Sequence, residues 1–219
     1  MKRSAGVTAA ILFLLLISAP EAAVGQDEGM IYLQAGGTYN MATGKFADTG
    51  GRLDPLPETG YSKGGYGTAL SVVFTASPTV SLFGEWYRPN FDTDRDALAE
   101  ALGIPPTIPF DLKYAMTMTG VGIRLNVYRS THFNSYLMLG LGRYRAEIRQ
   151  KQFDTTTIDR TDVTSGINIG GGVSVPVGPL GFELGARYHS AQFATDGQEL
   201  DWPATWLETR IAFSYGFRR

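Results

Sequence analysis

The last strand-like segment of the chain alternates without interruption. From Leu207 to Phe217 one set of positions reads Leu207, Thr209, Ile211, Phe213, Tyr215, Phe217, and the interleaved set reads Glu208, Arg210, Ala212, Ser214, Gly216. A period of two places such sets on opposite faces of a β-strand. One face is apolar and aromatic; the other is charged or tiny.

Seven earlier segments show the same rhythm: about Met30–Asn40, Gly64–Thr75, Thr79–Arg88, Leu112–Tyr128, Phe133–Arg149, Val163–Val177 and Leu180–Phe193. In the fourth, for example, Val121, Ile123, Leu125 and Val127 oppose Gly120, Gly122, Arg124 and Asn126. The fifth admits two phases. Leu137, Leu139 and Leu141 share a face with Arg143, Arg145 and Glu147. Either a bulge near Gly142 shifts the phase, or the arginines face outward at a rim.

The amino terminus has a separate role. Lys2 and Arg3 precede an apolar run, Ala9 to Ala19, and small residues continue through Ala23 and Gly25. This is the pattern of a secretory signal peptide over residues 1–25, cut before Gln26, with a mature domain over 26–219. The run is too short to span a bilayer as a helix, which takes about 20 apolar residues. Cysteine is absent, so the exported domain must close by packing and hydrogen bonds alone.

The connections alternate in length. Those after segments two, four and six are tight, around Pro78, Ser130 and Gly178. Those after one, three, five and seven are long and polar, about residues 41–63, 89–111, 150–162 and 194–204. Short turns at one end and long loops at the other are the pattern of a bacterial outer-membrane barrel, with both termini and the turns periplasmic. The expected fold is all-β: an eight-stranded antiparallel up-and-down transmembrane β-barrel. Its 27 glycines and its mean hydropathy near zero suit strands that are apolar on one face only.

Charge placement argues for lipid outside. An Arg or Lys on the lipid face at mid-bilayer costs about 2–4 kcal/mol. Glu85, Arg124, Glu183, Arg187, Glu208 and Arg210 all stand opposite the apolar set, which makes them a candidate structural charge network in the lumen. His189, Arg143, Arg145 and Glu147 are possible additions. Aromatics fall near strand ends, as interfacial belts require. Tyr39, Tyr66, Trp86, Tyr188 and Trp206 are expected at the outer rim, and Phe74, Tyr128, Phe133, Phe182, Tyr215 and Phe217 at the periplasmic rim.

The chain resembles the small eight-stranded outer-membrane barrels, the OmpA/OmpX-like and opacity-type proteins. The carriers are the signal peptide, the eight-strand rhythm and the ending Ile211-Ala212-Phe213-Ser214-Tyr215-Gly216-Phe217, although Arg218 and Arg219 follow the last Phe. The resemblance implies an integral outer-membrane protein in contact with membrane lipid and lipopolysaccharide. It also implies folding by the barrel-assembly machinery and long loops available to an extracellular ligand. A non-enzymatic structural or surface role, in envelope integrity or adhesion, is the expected function. A narrow pore or transporter of small or hydrophobic molecules is the alternative, and a lipid A-modifying enzyme the third.

Several motifs point elsewhere only at first sight. The lipid A deacylases, similar small barrels, set a catalytic His and Ser two apart on one face. Here His189 and Ser190 are adjacent and point to opposite faces, so no catalytic residue is assigned. Asp92, Asp94 and Asp96 have the spacing of a calcium loop, but Ala97 and Gly103 stand where Gly and Glu are required. They are read instead as the cap of a short helix, Ala97–Leu102, stopped by Gly103. Gly170-Gly171-Gly172 has no helix or Lys after it and is read as close strand packing. No cofactor or metal is called for, and a net charge of −2 gives no reason to expect nucleic acid.

Overall fold

The computed structural model describes residues 29–49, 60–101, 103, 105, 110–152, 155–195, 198–199 and 203–218. The expected signal peptide and the expected cut before Gln26 lie outside these residues, as do Leu102 and Trp202. Eight long strands follow one another: β1 Met30–Thr43, β2 Gly64–Thr75, β3 Val80–Asp92, β4 Phe110–Arg129, β5 Asn134–Gln152, β6 Thr155–Val177, β7 Leu180–Ala191 and β8 Ala204–Arg218. Each pairs antiparallel with its neighbours in sequence, and β8 pairs with β1 to close the barrel. The seam runs in one unbroken register from Met30↔Arg218 to Thr43↔Thr205. Closure leaves no sheet edge within the ring, which hydrocarbon could not satisfy.

The two faces sort as the alternation requires. Leu33, Leu70, Leu82, Val121, Ile123, Leu139, Ile169, Leu184, Ile211 and Phe213 all face outward and are exposed. The buried side chains, polar and charged ones included, fill the interior. This inversion of a water-soluble barrel is what lipid outside demands.

In β5 the phase holds through Gly142, because β4 and β5 stay in register from Phe110↔Gln152 to Asn126↔Tyr136. Arg143 and Arg145 therefore face outward, with Tyr144 buried between them and Ala146 buried after Arg145. The two arginines and Glu147, the last pairing with Arg145 at 3.5 Å, take no part in the lumen network.

Two strands outrun their sequence signal. Residues 150–162, expected as a loop, are nearly all strand, with Arg149↔Asp159 and Gln152↔Thr155 in the ladder between β5 and β6. Above the membrane both faces of a sheet meet water. The apolar alternation then vanishes while the backbone ladder continues. Similarly, β3 passes through Pro89 to Asp92. Its pairing with β4 skips Arg88 and Pro89 and resumes at Asn90↔Ala115, as expected of a residue with no N–H to donate.

The described parts of the first and second outer loops pack at the barrel mouth, where Phe46 meets Phe91 with ring centres 5.1 Å apart. A 3₁₀ turn, Gly44–Phe46, delivers a buried Phe46, and the backbone N–H of Ser62 bonds to the Phe46 carbonyl at 3.0 Å. Asp94 caps the helix α1, Arg95–Ala101. Its Oδ1 accepts from the Ala97 N–H at 3.3 Å, and Lys63 pairs with its other oxygen at 3.1 Å. Gly103 follows with φ of +64°, the left-handed conformation of a helix stop. No three potential metal ligands cluster among the described residues.

Candidate functional site in the barrel lumen

All six charged residues expected in the lumen are buried there. They form two groups, stacked along the barrel. Nearest the periplasm, Arg124 of β4 donates from Nη1 to Glu183 Oε2 of β7 at 2.7 Å. The same carboxylate oxygen accepts from Gln34 Nε2 at 3.0 Å, and Ser71 donates to Gln34 Oε1 at 3.0 Å. The Arg124 guanidinium also lies 3.4 Å from the centre of the Tyr136 ring, a cation–π contact. Gly172 makes this packing possible, since a Cβ there would stand 2.6 Å from the Tyr136 hydroxyl.

The second group occupies the middle of the lumen. Arg187 of β7 donates from Nη2 to Glu85 Oε1 of β3 at 2.7 Å and from Nε to Glu208 Oε2 of β8 at 3.1 Å. Arg210 of β8 donates from Nε to Glu208 Oε1 at 2.7 Å and from Nη1 to the other oxygen of Glu85. Two cations and two anions are interlocked, so the group carries no net charge. Burial of any one charge alone would be far costlier, and removing one partner of such a pair costs about 3–5 kcal/mol.

Above this group stands a stack of three rings that strand alternation alone does not reveal. His189 lies between Trp206, at 4.8 Å with planes 3° apart, and Tyr87, at 5.2 Å and 24°. One ring nitrogen, Nε2, is 2.8 Å from Glu208 Oε2, and Nδ1 is 3.0 Å from the Tyr144 hydroxyl. Trp206 Nε1 donates to the Tyr87 hydroxyl at 3.2 Å, and Tyr87 donates to Asn40 Oδ1. Phe46, Phe91, Met116 and Phe193 then close the outer end as an apolar cluster.

Trp206 corrects an expectation. Expected in the outer aromatic belt, it is fully buried, because it shares the phase of Glu208 and Arg210. The same parity rule would have found Tyr87 from Glu85, and Tyr144 from its place between two outward arginines. Tyr39, Tyr66, Trp86 and Tyr188 do stand exposed on the outer surface, and so do Phe74, Phe133, Phe182, Tyr215 and Phe217.

Little space is left. The cavity beside the central charges, lined by Glu85, Arg124, Arg187, Glu208 and Arg210, measures about 20 Å³, near the size that holds one water. Toward the periplasm, a recess lined by Tyr32, Gln34, Arg124 and Glu183 measures about 60 Å³. His189 is sealed between rings, and Ser190, on the opposite face, pairs in register with Ile167 and Thr205. A nucleophile and base within hydrogen-bond reach are therefore not formed by these two residues.

Comparison with known proteins agrees with this architecture. Residues 9–217 match the family described as outer membrane protein beta-barrel domain. No curated protein matches the sequence. Among solved structures, OprG from Pseudomonas aeruginosa is similar with a TM-score of 0.53 at 12% identity, over 89% of this chain and 99% of that one. Ail, the attachment invasion locus protein of Yersinia pestis, is similar with a TM-score of 0.51 at 13% identity, over 87% of this chain and 100% of that one. At such identities the likeness is one of fold. Fold, closed seam, outward apolar face and family match together make this chain a member of the outer-membrane protein beta-barrel domain family, a protein of the bacterial outer membrane.

Proposed function

We propose that the protein is a non-conducting, non-enzymatic barrel that acts at the cell surface by attachment, through the sheet that β4, β5 and β6 raise above the membrane. The observation that carries this reading is the unequal height of the wall. β6 has 23 residues and β7 has 12. The difference amounts to about 35 Å of strand at roughly 3.3 Å per residue. β7 ends at Ala191, opposite Gly166, so from Thr155 to Ser165 the outer part of β6 is paired with β5 alone among the barrel strands. An open sheet edge presents unpaired backbone donors and acceptors, to which an extended segment of another protein can add as a strand.

The closed lumen supports the same reading by disfavouring transport. Rings and ion pairs fill the bore, and the interior of an eight-stranded barrel is just wide enough for its own side chains. The test is to replace residues 149–159 with an Asn-Gly turn. The expected result is a barrel that still shifts mobility on gels with and without boiling, in cells that no longer attach to protein-coated surfaces. Undiminished attachment by the folded, trimmed protein would overturn the proposal.

A further inference from the structure

The outer surface of β4, β5 and β6 carries a concavity that the lumen does not explain. It measures about 520 Å³ and is lined by Thr119, Val121, Leu141, Arg143, Ser165 and Ile167, over a floor of glycines. The floor is one register row, Gly120↔Gly142↔Gly166. Below it lies the row Val121↔Leu141↔Ile167, three strongly exposed aliphatics. Above it lies Thr119↔Arg143↔Ser165, one cation between two hydroxyls. The groove is thus apolar at its membrane-facing end and polar and cationic at the other.

Its depth in the membrane follows from the strand. Arg143 is nine residues from the periplasmic start of β5 at Asn134. At roughly 3.3 Å per residue and a tilt near 40°, that is about 23 Å up an apolar band about 25 Å tall. Trp86, a belt aromatic exposed on the same surface, pairs in register with Thr119. Arg143 therefore stands where the outer leaflet changes from hydrocarbon to headgroup. Arg145, two rows farther out on the same face, pairs with Glu147. Arg143 has no ion-pair or hydrogen-bond partner among the described residues.

We propose that this groove is a lipid site, in which Arg143 holds a phosphate of an outer-leaflet glycolipid of the lipid A type and the apolar end takes one of its acyl chains. A guanidinium matches a phosphate with two parallel hydrogen bonds, and the hydroxyls of Thr119 and Ser165 flank it. The surface below is bathed by hydrocarbon, so a ligand that fills both ends must carry a chain and an anionic head together. The site is independent of whichever partner the raised sheet takes.

The test is native mass spectrometry of the full-length mature barrel in detergent, titrated with bis-phosphorylated lipid A. Wild-type protein is expected to retain it, and Arg143→Gln to bind it about tenfold more weakly. Removal of the phosphates from the lipid should weaken wild-type binding to a similar degree. Thr119→Trp, which fills the groove and leaves the charge in place, should also reduce retention. Arg145→Gln should have little effect. Gel mobility with and without boiling verifies that each variant is folded. Equal retention by Arg143→Gln, an equal loss in Arg145→Gln, or no loss in Thr119→Trp would each overturn the proposal. So would equal binding of phosphatidylglycerol, or competition by inorganic phosphate alone at the same concentration.

Discussion

Arg187 reaches across the full width of the barrel to Glu85, with Nη2 2.7 Å from Oε1. The two residues are 102 positions apart in the chain. Their strands, β7 and β3, stand four places apart in the closed order of eight and so face each other. The bond is a strut between opposite walls, and Arg210 and Glu208 brace it from the seam strand.

Removal of the strut should therefore be costly. Arg187→Ala leaves Glu85 and Glu208 buried with one cation between them, and should destabilise the barrel by about 3–5 kcal/mol. Urea unfolding in detergent, followed by gel mobility, measures the loss. An unchanged midpoint would contradict the role assigned to the network.

A pair of glycines separates inside from outside. At Gly170 a Cβ would sit 2.2 Å from the Ala186 carbonyl oxygen and 2.5 Å from Arg187 Cγ, whereas at Gly37 it would meet nothing within 4 Å. Gly170→Val should cost about 3 kcal/mol or more through overpacking. Gly37→Val should lie within about 0.5 kcal/mol of wild type, as expected where no contact is disturbed. Equal effects in the same unfolding experiment would contradict the inward orientation of Gly170.

Tryptophan fluorescence can distinguish lumen from lipid. In a Trp202→Phe background, Trp86 and Trp206 remain of the three tryptophans. Trp86 is exposed on the outer surface and Trp206 is fully buried. Brominated lipid should quench the Trp206→Phe variant, which retains Trp86, and leave the Trp86→Phe variant nearly unquenched. The opposite order would return Trp206 to the aromatic belt.

The Asp cluster in the second outer loop makes a prediction about pH. The hydrogen bond from Lys63, with help from the Ala97 N–H, holds the Asp94 carboxyl below its ordinary value of 3.8. A carboxyl held low in the folded state contributes stability that is present above its unfolded value and lost as pH falls through its folded value. The protection of the Ala97 and Leu98 amides, taken relative to their intrinsic exchange rate at each pH, should stay constant at neutral pH and fall only below about pH 3.8. Asp94→Ala should lower it at neutral pH, by the loss of an N-cap worth about 1 kcal/mol, and make no further difference once the wild-type carboxyl is protonated. Insensitivity of both amides to the substitution would contradict the cap.

The fold was legible because lipid imposes a strict rule. Wherever a strand crosses hydrocarbon, apolar residues must alternate with lumen residues, as in Ile211, Phe213 and Tyr215. That rule also located Glu85, Arg124, Glu183, Arg187, Glu208 and Arg210. It was silent above the membrane, where Thr155 to Asp162 form a strand with no need of an apolar face. It was also misleading for Trp206, because aromatic residues suit both an interfacial belt and the inside of a packed lumen. Only the phase along β8 tells them apart. Which lumen side chains touch could not be read at all, since strand order around a ring brings residues such as Arg187 and Glu85 together regardless of their distance in sequence.

Single-channel recording in planar bilayers tests the central claim most directly. With the bore filled by the Arg187, Glu85, Glu208 and Arg210 group and by the stack of Trp206, His189 and Tyr87, the inserted, folded protein should add no stepwise conductance to that of the bare membrane. Stable ohmic steps from the wild-type barrel would mean that the lumen opens, and would contradict a protein that works only through its outer surface.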